Sequence, residues 1–271
     1  MKRMVGSLVI VIFGALAGLL LMGVKSEARQ EASPTSSAAD DAATPKFSTI
    51  ASAEDLAKEL NSLVADVEKA VANEDEYNSQ IEGRFVRDGN TIALVATALG
   101  LHDQESPAKA HAQAVADAAG KLSAAKDYAA AKKAVEDLKT ALESGAASGQ
   151  LKWGKIATLK SLMKDEVPNI NKKLKVGLGH FKKRSKEAAA NAATMALIAE
   201  NAKLYIADTK KPDEGSKWTA FANQFRDAAD EVAAKIHAGD ESGANAAMDK
   251  LNQSCHDCHA VFNPDKVDSK E

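Results

Sequence analysis

The sequence predicts an all-α protein: two tandem antiparallel four-helix bundles that follow an N-terminal apolar helix and a disordered linker. Three observations carry this. From about residue 48 the chain is rich in Ala, Lys, Glu and Leu, and aromatic residues make up only 4% of its 271 residues. Apolar positions recur three and four residues apart, with little alternation of the kind strands need. The region also divides into two halves that align with each other.

The elements follow in chain order. Lys2 and Arg3 precede an apolar stretch from Met4 to Val24, broken only by Ser7 and four glycines, and Ser26-Glu27-Ala28 forms a small-x-small cleavage pattern. The stretch is longer than a usual signal core and nearly long enough to span a bilayer. Residues 1–28 therefore read as a signal peptide or a membrane anchor. Both readings put the rest outside the cytoplasm, in the periplasm or exported, either secreted or tethered by an N-terminal transmembrane helix. Residues 29–47, rich in Ala, Ser, Thr, Pro and Asp, cannot bury a core and read as a flexible linker.

Helical segments are expected at 50–80, 90–103, 107–126 and 129–144, then at 152–181, 186–209, 214–238 and 241–263. Short connections favour antiparallel neighbours, hence one bundle over 48–149 and a second over 150–271, each long enough to bury its own core. A single eight-helix array is the alternative. The internal match pairs Leu60-Asn61-Ser62-Leu63 with Leu159-Lys160-Ser161-Leu162, and Ile92-Ala93-Leu94-Val95 with Met195-Ala196-Leu197-Ile198. It continues with Asp117-Ala118-Ala119 against Asp227-Ala228-Ala229 and with Val135 to Leu138 against Met248 to Leu251. Pro107 and Pro212 each open the third segment of a half, where a missing N–H is harmless.

The chemistry is concentrated near the C-terminus. The only two cysteines stand in Cys255-His256-Asp257-Cys258-His259, the C-x-x-C-H spacing that attaches c-type haem. Two thiols add to the haem vinyl groups and the adjacent imidazole takes the iron. On a helix, Cys255, Cys258 and His259 share one face, while His256 points off it. That face continues an apolar seam of Ala244, Met248, Leu251, Cys255, Cys258 and Phe262, until Pro264 ends the helix. Two buried cysteines beside an incidental histidine would leave His259 unexplained. A thioredoxin-like pair belongs at a helix N-terminus, the opposite pole. A zinc site built from Cys255, Cys258, His256 and His259 cannot be tetrahedral within five residues of one helix. Covalent haem is the expected cofactor, one per chain. Export agrees with it. In the first half Leu142, Gly145 and Ala146 stand opposite Cys255, Cys258 and His259, so that bundle should carry no haem, and its His102 and His111 read as surface or packed residues.

With these residues in view, the C-terminal half resembles the cytochrome c-prime family, including its low-spin electron-transfer relatives. The likeness covers about residues 152–263 and is carried by Trp218 and Phe221, the Ala238-Gly239-Asp240 turn, the C-x-x-C-H motif and Phe262. The family often has a basic residue where this chain has Asn263. The resemblance implies a four-helix bundle around one haem, with the first helix of that bundle on the distal side. There the seam reads Ile156, Leu159, Met163, Val167, Ile170, Leu174, Leu178 and Phe181, with a kink expected at Pro168. Met163 stands where electron-transfer relatives place a methionine ligand, and a thioether on iron suits electron transfer. The other reading makes Met163 a gap-filling core residue. The iron would then be five-coordinate and open to small gases such as nitric oxide. His180 is a weaker distal candidate. Trp218, Phe221, Phe225 and Phe262 are haem-pocket candidates, and ordinary core packing explains their seam equally well.

Net charge is −3, which implies neither nucleic acid nor a broad membrane surface as a partner. Lys172, Lys173, Lys175, Lys182, Lys183, Arg184 and Lys186 occupy 171–186 without an acid. They read as a solvated face or as a docking site for an acidic redox partner protein. No serine–histidine–acid set, paired carboxylates or phosphate loop stands out, so an enzyme is not expected. The expectation is an exported monohaem electron carrier, with gas binding or a scaffold role in the envelope as alternatives.

Overall fold

The computed structural model describes residues 43–144 and 150–264. The apolar N-terminal segment and most of the linker lie outside the described residues. Among the described residues the regular structure is all helix, with no strand.

Helix α1 (Ala53–Ala70) begins where the Ser52 hydroxyl accepts the Asp55 N–H, with Glu54 and Asp55 in the first turn. The expected single segment 50–80 divides here. Asn73 accepts the Glu76 N–H and starts a separate short helix, α2 (Glu74–Asn78). Helix α3 (Arg84–Leu101) starts earlier than expected, because Gly83 supplies a left-handed turn at φ 78°. A 3₁₀ turn, Pro107–His111, opens on Pro107 as expected and leads into α4 (Ala112–Ala124). Helix α5 (Tyr128–Ser144) ends the first half.

The second half departs more from expectation. Residues 150–158 are not helical. Their backbone is held by side chains instead: Asn201 donates to the Gly154 carbonyl at 2.8 Å and the Tyr205 hydroxyl to that of Ala157 at 2.8 Å. Trp153, 3% exposed, stands edge-on to Phe47 at 5.1 Å, so this segment is packed onto the first half. One helical turn (Leu159–Ser161) and a π turn (Leu162–Glu166) then precede α6 (Val167–Gly179). After His180 come α7 (Phe181–Ala202) and a 3₁₀ stretch, Lys203–Asp208, that replaces the expected last turns of that helix. Helix α8 (Gly215–His237) begins three residues beyond Pro212, which sits in the preceding turn rather than at the helix start. Helix α9 (Glu241–Phe262) completes the half.

Helix α1 packs on α3 and α5, α3 on α4, and α4 on α5; in the second half α6 packs on α7 and α9, α7 on α8, and α8 on α9. Three of the four blocks matched in the sequence fall on corresponding helices with similar burial: Ile92, Leu94 and Val95 on α3 and Met195, Leu197 and Ile198 on α7 are all fully buried, whereas the first block pairs α1 with the single turn before the π turn, where Leu159 is half-buried and Leu60 buried. Close approach depends on small residues. A Cβ on Gly89 would lie 2.7 Å from the Ser123 nitrogen and 2.8 Å from the Ala119 oxygen, so α3 and α4 nearly touch there.

The sequence suggests a separate core for each half; the structure joins them. One apolar cluster runs from Phe47 to Leu251, and α1 and α3 pack on α7. Polar groups cross the same junction. Asp55 accepts from His237 at 2.8 Å and Asp66 from Lys173 at 2.9 Å. Two carboxylates are buried at the junction, Glu59 near the Asp66–Lys173 pair at 2% exposure and Glu166, near Asn90 and Arg87 of α3, at 0%. Burial pushes the Glu59 carboxyl up to about 7 against the pull of Lys173, and Glu166 likewise up to about 7.

Candidate functional site

The motif helix starts from a fixed turn. Gly239 takes φ 71°, and the Asp240 carboxylate accepts the Gly243 N–H at 2.8 Å, which holds that carboxyl below its usual range. From this cap the expected seam runs as read from the sequence: Ala244, Met248, Leu251 and Phe262 are buried, and Cys255 and Cys258 are half-buried free thiols. The helix ends at Phe262, where the Asn263 N–H donates to the His259 carbonyl.

Beside the two thiols lies a cavity of about 520 Å³, lined by the π turn and helices α6, α8 and α9, with Ala202 at the end of α7. It gathers Cys255, Cys258, His259, Met163, Trp218, Phe221 and Phe225. Seven of the nine site candidates named from the sequence therefore border one space. Phe262 stands behind it, edge-on to Trp218 at 5.0 Å and to Phe221 at 6.2 Å. The Trp218 indole is fixed by donating to the Ala202 carbonyl at 2.8 Å.

The cavity separates two apolar clusters. Cys255 packs against the main core, whereas Cys258, Met163 and Phe221 pack against a small cluster of Ala202, Trp218 and Phe262. Each thiol therefore touches a different body of apolar side chains. Burial pushes the Cys258 thiol up to about 12, with Cys255 adding to the rise, and pushes Cys255 up as well. Both are neutral thiols in this fold. That is the opposite of the depressed thiol a redox pair requires.

Met163 reaches the cavity through a local irregularity. Pro168 has no N–H to offer the Lys164 carbonyl, and the chain widens into the π turn rather than merely kinking. The extra residue changes the phase. Leu162 and Glu166 turn into the main core ahead of Ile170, Leu174 and Leu178, while the half-buried Met163 and Val167 line the cavity.

The other histidines lie elsewhere, with one exception. His180 is exposed and outside the cavity lining. His102 is a packed core residue: its Nε2 donates to the Ala51 carbonyl at 3.1 Å and its Nδ1 accepts from the Gln104 N–H. His111 is half-buried in the 3₁₀ turn before α4. His256 is exposed, as its helical angle requires, yet it also borders the cavity. Among the described residues no group of three or more His, Cys, Asp or Glu side chains is placed to hold a bare metal ion. In the basic stretch, Lys173 pairs with Asp66 and Arg184 with Glu187, Lys175 borders the cavity, and Lys172, Lys182, Lys183 and Lys186 are exposed.

Sequence reasoning missed a group of polar lining residues, Asn171, Lys175 and Asn252. A signal for them exists. Asn171 and Lys175 each follow a seam residue of α6 by one position, as Asn252 and His256 do on α9. Among the described residues no helix is long and apolar enough to cross a membrane. A scan against protein-family models and searches of curated proteins and solved structures find no match to this chain.

Proposed function

We propose that this protein is an exported monohaem c-type cytochrome that transfers electrons through a haem attached at Cys255 and Cys258, with His259 as proximal iron ligand. One observation carries the reading: both thiols, the adjacent imidazole and a thioether border the same cavity. Its volume of about 520 Å³ lies within the roughly 300–1,000 Å³ usual for ligand pockets, and its walls are largely aromatic and aliphatic. That is the donor set and the surface that a flat apolar macrocycle needs. When bound, the haem supplies the one-electron iron couple.

The chain's own residues do the rest. Cys255 and Cys258, which pack against different apolar clusters, would hold the haem on α9 through two thioether links. His259, one turn after Cys255 on the same helix, supplies an imidazole held by the backbone rather than by a mobile loop. Trp218, Phe221 and Phe225 exclude water from the walls, which lowers the local dielectric around the redox centre. Met163 would offer the iron a thioether, and its place in the cavity lining, set by the π turn, supports electron transfer over an open, gas-binding site. The contacts among helices support two tandem four-helix bundles, and the matched burial supports the first as a haem-less copy.

The test is mass and spectrum. Full-length protein made in a host that matures c-type cytochromes should gain the mass of one haem, and the reduced protein should be low-spin and indifferent to carbon monoxide. A bare polypeptide mass ends the haem reading. A high-spin spectrum that shifts with carbon monoxide transfers the proposal to gas binding and makes Met163 a wall residue only.

A further inference from the structure

We propose that Glu166, on the π turn beside the cavity, takes up a proton when an electron reaches the iron and releases it when the electron leaves, with the haem-less half setting its grip on that proton. The inference rests on the haem reading above and adds a proton to it. The turn has two sides. Met163 and Val167 border the cavity, whereas Glu166, three residues beyond Met163 and next to Val167, is 0% exposed on a turn that packs against α3. Consecutive Cα atoms lie about 3.8 Å apart, so little more than the thickness of this one turn separates the carboxyl from the cavity wall.

The carboxyl is placed to hold a proton rather than a charge. Its Oε1 accepts from the Ser161 hydroxyl at 3.5 Å, and its Oε2 is buried with no hydrogen-bond partner among the described residues. A buried anion with an orphan oxygen is costly, which favours the neutral acid. Four other groups act on it. From α3 come the Asn90 amide, which bonds to it, and the Arg87 guanidinium, which favours the anion although it is already bound to Asp88 at 2.7 Å. Asp165, on the same turn, opposes ionisation, and Tyr205, in the 3₁₀ stretch after α7, feels the Glu166 charge. Burial outweighs these pulls and lifts the carboxyl to about 7. An electron on the iron makes the cavity more negative, so the reduced protein should hold the proton about tenfold more tightly than the oxidised one. The balance is one electron from the partner protein to the iron and up to one proton from solvent, by way of the half-buried Ser161 hydroxyl, to the Glu166 carboxylate; oxidation returns both. Arg87 and Asn90 belong to the first half, which gives that half a part in the redox chemistry.

The experiment follows the midpoint potential of the full-length, haem-loaded protein with pH. In the parent the potential should fall as pH rises through about 7, because an ionised Glu166 stabilises the oxidised iron. Glu166→Gln should lose most of that fall, and with it the proton uptake that an indicator dye reads on reduction in unbuffered solution. Glu59→Gln removes the other buried carboxyl lifted to about 7, but on α1 beside Lys173 and Asp66, and should keep both. Arg87→Gln should move the fall to higher pH, since the anion loses a favourable charge while Asp88 keeps Arg84 at 3.1 Å. A fall unchanged in Glu166→Gln, or equally lost in Glu59→Gln, overturns the assignment. If Glu166→Gln does not mature, Arg87→Gln decides, and a fall that stays at the parent's pH overturns it. A parent potential independent of pH overturns the assignment while leaving the haem reading standing; absence of covalent haem from the parent chain overturns both.

Discussion

The two halves of the molecule use the same helical plan and end it differently. In the first half α5 lays Ala131, Ala134, Val135, Leu138 and Ala141 into the core against α1 and α4, and the half-buried Leu142 continues that contact. In the second half α9 begins alike, with Ala244, Ala247, Met248 and Leu251 buried. It then turns two small thiols toward a cavity, beyond which a second apolar cluster starts. The difference lies in side-chain volume and in the neighbouring wall, not in helical geometry. A seam spacing is indifferent to whether its residues fill the space they face. Where the residues are Cys255 and Cys258, the space stays open to a large guest.

The largest expected effect breaks this comparison at the thiols. Replacing both cysteines by alanine should leave colourless protein after denaturing electrophoresis, and either single change should weaken attachment. Leu142→Ala, at the aligned position in the first half, should leave full haem colour. Covalent colour in the double variant would remove the basis for treating the halves as different.

Next come the cores. Leu94 is fully buried in close packing, so Leu94→Ala should cost about 2–5 kcal/mol in denaturant unfolding. Met163→Ala, at a half-buried site bordering a cavity, should cost less than the roughly 2–5 kcal/mol of a full core truncation while changing the reduced optical spectrum. Equal losses would mean that the cavity is as tightly packed around Met163 as the first core is around Leu94.

The junction between the halves should respond to pH. Glu59 and Glu166 carry folded values of about 7 against ordinary values of 4.5, so the folded state holds the protons more tightly. Their stabilising contribution is complete below about pH 4.5 and is lost as pH rises through about 7, a change on the order of 1–3 kcal/mol for each. Thermal stability should therefore fall between pH 5 and 8, and Glu59→Gln should flatten part of that slope. Gly89→Ala should cost a similar amount, about 1–3 kcal/mol, by forcing α3 and α4 apart, with little effect on the haem spectrum because the strain lies in the first half. A spectral change there would show that the continuous core carries strain from one half to the other.

Much of this was legible in the residues. The three-and-four spacing of Ala244, Met248, Leu251, Cys255, Cys258 and Phe262 gave both the helix and its buried face, because periodicity is a local property. The helix breaks were less legible. Asn73 could be read as a cap only once the chain had somewhere to turn. Residues 150–158 carry helix-compatible side chains, yet Trp153 against Phe47 and the side-chain bonds from Asn201 and Tyr205 hold them in a non-helical path. Met163 was named on a seam, whereas the π turn before Pro168 moved it onto a cavity wall. Lys175 stood in a basic stretch legible only as a solvated face or a docking site, and nothing in the spacing alone marked Asn171 as a cavity residue.

By itself, then, the sequence determined the helical class, the order of the segments and the identity of the thiol–imidazole motif, since each depends on residues within a turn or two of one another. Only the tertiary structure decided that the halves share one core, that buried carboxylates sit at their junction, and that a cavity opens beside the cysteines. Those features depend on the volume and charge brought by helices distant in the chain, which no local spacing records.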